Sequence, residues 1–249
     1  MANDPNEKSA SGGAVLRHQA KERALTPATP PPATLEELEG KLAAAFGKPK
    51  TVLHELISEL VHLDVHLVPP SPQNNHWTLF TTGMSDLPMH VPEGVEDLEF
   101  AELVLMLPPE WPVDRLTVTP PPQDAEAWYW PVRWLKQLAR LPHAYETWLG
   151  PGHTVPNGDP VRPFAPETKL CAFVLLPPVS VPGDARRMKL SDGRTVNIYV
   201  LHALHLEELN LKLNRGIEAL LDAFDSGNVS EVLDISRKST VRKKLFGLF

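Results

Sequence analysis

The chain has 249 residues, 42% of them hydrophobic, enough for one large domain or two small ones, which excludes a wholly disordered protein. Its 27 prolines are about twice the usual share and disfavour a long helical bundle, because each removes a backbone donor. The net charge of −7 divides into +1 on residues 1–33, −13 on residues 34–235 and +5 on residues 236–249, so the body repels phosphate backbones and argues against a nucleic-acid binder.

Residues 1–33 mix Ser, Gly, Ala and charge and close on Thr26-Pro27-Ala28-Thr29-Pro30-Pro31-Pro32, which reads as a flexible leader with a stiff end. Thr34 and Glu37 have capping-box spacing, and Leu35, Leu38, Leu42 and Phe46 recur at helical intervals, predicting a helix over 35–46. Val52, Leu53, Leu56, Ile57 and Leu60 predict a second helix over 50–60, separated from the first by Gly47-Lys48-Pro49. From Val61 to Val68 apolar and polar residues alternate, as in a half-buried strand, and Pro69-Pro70 stops it. Further strands are expected at 77–82 and 100–107. A helix is expected between Trp128 and Leu149, with Pro131 tolerable only in its first turn.

A buried strand at 169–176 contains Cys171, the chain's one cysteine, which cannot form an internal disulfide and reads as a small buried hydrophobe. Residues 188–200 read as a hairpin around Asp192-Gly193, and a helix from Leu206 to Phe224 ends at Ser226-Gly227. The fold class that follows is α+β (mixed α/β): a single domain over 34–226 whose mostly antiparallel or mixed sheet is flanked by helices, with a basic and apolar tail at 227–249. That tail is expected to dock on the acidic body, with a disordered tail or contact with an anionic membrane as alternatives. No apolar signal segment and no membrane-length apolar run occurs, so a cytoplasmic location is expected.

Two segments carry the candidate binding residues. The turn Thr81-Thr82-Gly83-Met84-Ser85-Asp86 offers Gly83, Ser85 and Asp86, but Leu87 stands where a nucleophile elbow requires its second Gly. The loop Gly150 to Pro160 offers His153, Asn157 and Asp159 among many turn residues. His62, Asp64 and His66 alternate on one strand face, where they read as a solvated face rather than a metal site. No catalytic residue, metal or cofactor is expected, since no phosphate loop, dinucleotide fingerprint or paired zinc motif occurs. The alternative is a metal-dependent or acid-base hydrolase using the His62/His66 face, or His153 with Asp86.

The run His76 to Asp86, then Phe100-Ala101-Glu102-Leu103-Val104, Glu110-Trp111-Pro112, Leu138-Ala139-Arg140, Gly152-His153-Thr154-Val155 and the Gly193 to Leu209 end together resemble the suppressor of fused domain. The resemblance implies a non-enzymatic α/β interaction domain. Animal members are two-lobed and hold a transcription-factor peptide as an added strand between the lobes; this chain resembles the first lobe only. Stand-alone bacterial members are regarded as immunity proteins of polymorphic toxin systems, so the resemblance implies a protein partner such as a toxin domain, and the acidic body favours a partner with a basic face.

Overall fold

The computed structural model describes residues 7–18, 32–54, 61–117 and 126–241. An eight-stranded sheet forms its centre, built from β1 (Thr51–Leu53), β2 (Asp64–Val68), β3 (Trp77–Thr82), β4 (Phe100–Leu107), β5 (Thr154–Pro156), β6 (Leu170–Leu176), β7 (Arg187–Lys189) and β8 (Thr195–His205). The order is β1-β2-β3-β4-β8-β6-β5, with β7 paired to the start of β8. All pairs are antiparallel except β4 with β8, where Phe100 lies opposite Val196 and Val104 opposite Val200. The mixed sheet flanked by helices agrees with the sequence expectation.

Helices cover both faces, which explains why β2 is buried at every position. On one face the helix α2 (Glu126–Tyr145) packs Trp130, Leu135 and Leu138 onto Val65, Leu79, Leu103, Leu105, Phe173 and Leu201. Trp130 is fully buried and stacks on Phe164, ring centroids 4.9 Å apart. On the other face α1 (Pro32–Phe46) sets Leu38, Leu42 and Phe46 against Phe80, Val104, Met106 and Ile198. Alongside it, α3 (Leu206–Arg215) and α4 (Ile217–Gly227) bring Leu209, Leu220 and Phe224 onto Ala172, Val174 and Leu204. Strand alternation divides each strand between the two cores: Phe173 and Leu175 face α2, while Ala172 and Val174 face the α3–α4 pair.

Several expectations are corrected. Residues 51–53 are a strand, because they pair with Val65, His66 and Leu67; the rest of the predicted second helix, 55–60, lies outside the described residues. The polar face of 61–68 is not solvated, since α1 covers it: Asp64 and His66 are buried, and only His62 remains exposed. Glu37 does not close a capping box; its carboxylate accepts the Ser191 backbone N–H at 2.9 Å, and α1 starts at Pro32, where a missing N–H costs nothing. Pro131 lies beyond the first turn of α2, and a second proline, Pro142, lies near its end. The helix predicted over 206–224 is two helices, broken at Gly216 with φ 88° and ψ 176°, a conformation glycine reaches without a Cβ penalty.

The flanking segments touch the body. Ser11 N–H donates to Leu213 O at 3.0 Å, and Arg17 pairs with Glu7 and Asp159. After α4 the chain returns beside β4, where Leu233 N–H donates to Met106 O at 2.9 Å. Arg237 then meets Glu208, which is fully buried at the start of α3. The two terminal guanidinium nitrogens donate to the two carboxylate oxygens at 2.6 Å, and Thr240 N–H, Thr240 Oγ1 and His205 N–H complete the shell. Residues 236–241 of the basic tail are therefore seated on the body; residues 242–249 lie outside the described residues.

Candidate functional site

The antiparallel course of β1 to β3 and the parallel pairing of β4 with β8 gather five chain ends at one end of the sheet. These are the end of β1, the start of β2, the end of β3 and the starts of β4 and β8. Gly83 turns the chain there with φ 106°, and a Cβ on it would lie 1.9 Å from the His62 carbonyl oxygen, so no other residue fits. Met84–Asp86 follow as a single 3-10 turn.

Glu102, fully buried on β4, organises this turn. Its carboxylate accepts Thr81 Oγ1 at 2.6 Å, Ser85 Oγ at 2.7 Å, Ser85 N–H at 2.9 Å and Gly83 N–H at 3.1 Å. Burial raises the Glu102 pKa, and the bonds from Thr81, Ser85 and Gly83 offset that only in part. Asp86 is pushed up to about 7 by burial first and then by the Glu102 charge, against the pull of Arg194. Arg194 donates to Ser85 O at 2.6 Å and to Asp192 at 2.7 Å, and its guanidinium lies over the Phe100 ring. From α2, the His143 ring meets Met84 O at 2.8 Å. Ser85 thus spends its hydroxyl and backbone on a carboxylate and an arginine, which is turn construction and not the activation of a nucleophile.

At the outer corner of the same end, His54 Nδ1 lies 3.0 Å from Asp64 Oδ2 and His62 Nε2 lies 3.4 Å from Asp64 Oδ1. His66 is not part of this group: its ring stacks on Phe80 at 4.8 Å and its Nε2 meets Thr82 Oγ1 at 2.9 Å. The His62/His66 face is therefore not one site.

The loop residues lie elsewhere. Three strands separate β3 from β5, at the far edge of the sheet, which carries the loop. His153 packs against Trp148 with ring centroids 4.3 Å apart, and burial, then the Lys212 charge, lower its pKa to about 4. Asn157 donates to Pro163 O at 2.8 Å and ties the loop to itself, while exposed Asp159 meets Arg17. Among the described residues no hydrogen bond or ion pair joins His153 to Asp86 or to Asp159. Cys171 is buried, and burial followed by Glu207 and Glu208 pushes its thiol up to about 11, far from a reactive thiolate.

Gly83, Ser85 and Asp86, grouped by the sequence reading, lie together in this one turn, while Glu102, His143, Arg194 and His54, which meet there or beside it, were not among its candidates. Glu102 had a signal: it is the one acid in the apolar run 100–107. The others come from chain segments that only the tertiary fold unites.

A family model described as suppressor of fused protein (SUFU) matches residues 59–238. The chain belongs to the suppressor of fused family. Solved structures share the fold of this suppressor of fused domain. A homologue from Neisseria gonorrhoeae FA 1090 superposes with a TM-score of 0.59 at 16% identity, over 85% of this chain and 98% of that one. The Sufu-Fu complex structure gives 0.57 at 14% identity, over 83% and 92%. Drosophila Suppressor of Fused gives 0.51 at 15% identity, where 83% of this chain spans 50% of that one. A comparison with curated proteins returns no significant match. Among the described residues no helix is long and apolar enough to cross a membrane.

Proposed function

We propose that this chain is a non-enzymatic protein-binding domain of the cytoplasm that masks a toxin domain with a basic face, as an immunity protein does. The observation that carries the reading is the family match over residues 59–238, since a relative of the same fold was solved in the Sufu-Fu complex. Two features support it. Around the Gly83 turn, Glu102, Arg194 and His143 are engaged in holding the backbone, and the Ser85 hydroxyl that meets Glu102 is buried with it as part of the turn. The −13 carried by residues 34–235 favours encounter with a positive surface. In this reading Gly83, Ser85 and Asp86, and separately His153, Asn157 and Asp159, hold the turn and the loop in the shapes a partner meets.

The test is co-expression of the intact chain with candidate toxin domains encoded beside it, scored by rescue of growth, followed by association kinetics on the captured pair. Rescue, with an association rate that falls about tenfold or more between low and high salt, is expected. An acidic partner, or an on-rate indifferent to ionic strength, overturns the charge-matching part. Hydrolytic turnover by the purified chain overturns the non-enzymatic part.

A further inference from the structure

Where β1 ends and β2 begins, the Leu53–Val65 pairing folds His54 back over His62 and Asp64. One ligand atom from each of the three residues lies within 4.8 Å of the others. His54 Nδ1 lies 3.0 Å from Asp64 Oδ2 and His62 Nε2 lies 3.4 Å from Asp64 Oδ1, so the two imidazoles face the two oxygens of one shared carboxylate. Two imidazole nitrogens and one carboxylate suit a borderline transition metal, whereas calcium and magnesium prefer all-oxygen sets.

Two further observations distinguish this corner from a pair of surface ion pairs. Asp64 is only 8% exposed, yet its Oδ1 accepts no hydrogen bond among the described residues. A buried carboxylate oxygen is ordinarily satisfied, and a bound cation would satisfy it. The backbone of His62 is also held in place, because its carbonyl occupies the space left by the missing side chain of Gly83. The site is thus fixed from beneath by the turn while both imidazoles face solvent, their side chains 66% and 50% exposed.

We propose that His54, His62 and Asp64 form a site for one divalent transition-metal ion of the zinc class, clipping β1 to the start of β2. Three protein ligands leave a fourth position for water or for a side chain of a bound partner. The site does not depend on the proposed immunity role.

The test uses the untagged full chain, stripped with a chelator and titrated with Zn²⁺ by calorimetry and with Co²⁺ by visible absorption. One equivalent per chain is expected, with a Co²⁺ spectrum of low coordination number and a zinc-dependent rise in Tm. His54→Ala and His62→Ala should each weaken binding by at least about tenfold. His90→Ala, which removes an exposed histidine elsewhere, should leave it unchanged. Asp64→Asn gives a second route that keeps side-chain size, and circular dichroism verifies each fold. Absence of stoichiometric binding by the wild type overturns the proposal, as does binding that survives both histidine substitutions.

Discussion

Glu102 and Glu208 are both fully buried glutamates in one small domain, and their surroundings drive them in opposite directions. Around Glu102 the donors are hydroxyls and backbone N–H groups, burial dominates, and the pKa rises. Burial is also the largest single influence on Glu208, but the Arg237 hydrogen bonds, Thr240, the Arg237 charge and His205 together outweigh it, and the pKa falls. Depth alone therefore does not decide the charge of a buried acid; Glu208 has a guanidinium hydrogen-bonded to both its oxygens and Glu102 has none among the described residues. One glutamate serves as the acceptor that shapes a turn, and the other as the anchor that holds a returning chain end.

The same substitution at the two sites should separate them most clearly. Glu208→Gln leaves Arg237, 13% exposed, facing a neutral amide, and should lower unfolding free energy by about 3–5 kcal/mol in denaturant titrations. Protease sensitivity should appear first in residues 228–241. Glu102→Gln keeps an oxygen for Gly83 and Ser85, and Thr81 can turn its hydroxyl toward Leu103 O, 3.4 Å away, so a loss of about 1 kcal/mol is expected. Equal losses at both sites would break the comparison.

Asp86 and Glu208 should give opposite pH signatures. The folded Asp86 carboxyl, near 7 against a reference of 3.8, binds its proton more tightly than the unfolded chain does. Its contribution to stability is therefore lost as pH rises from about 4 to 7, and Asp86→Asn should remove that decline. The lowered Glu208 carboxyl contributes above its reference value of 4.5 and loses that contribution as pH falls below it. Denaturation midpoints measured from pH 3 to pH 8 on the wild type and Asp86→Asn test both signs. The smallest effect is reserved for an exposed pair: Arg187→Ala, which removes the 2.9 Å contact with Asp97, should cost less than about 1 kcal/mol.

Strands 77–82 and 100–107 were readable to the residue because Pro, Gly and polar clusters bracket them. The 51–53 strand was not, since Val52, Leu53, Leu56 and Ile57 satisfy a helical period and a three-residue strand offers too few positions to show alternation. The split at Gly216 was written in Asn214-Arg215-Gly216, a helix stop that continuous apolar spacing on both sides disguised. At the candidate site, Gly83, Ser85 and Asp86 are neighbours in one segment, so a turn pattern alone groups them. Pairing His54 with Asp64 required the β1–β2 register, and seating Arg237 on Glu208 required the chain to return past β4.

The parallel pairing of β4 with β8 also fixes an order of events during synthesis. Phe100 meets Val196, so the fourth strand of the sheet waits for a neighbour made 96 residues later. At roughly 5–20 residues per second, β4 stays a bare apolar edge for on the order of 5–20 s after it leaves the ribosome. During that interval β1 to β4 form a meander open to strand capture by another nascent chain, and closure by β8 ends the exposure. Slowing translation between residues 108 and 195 should therefore lower the soluble yield without changing the stability of the molecules that do fold.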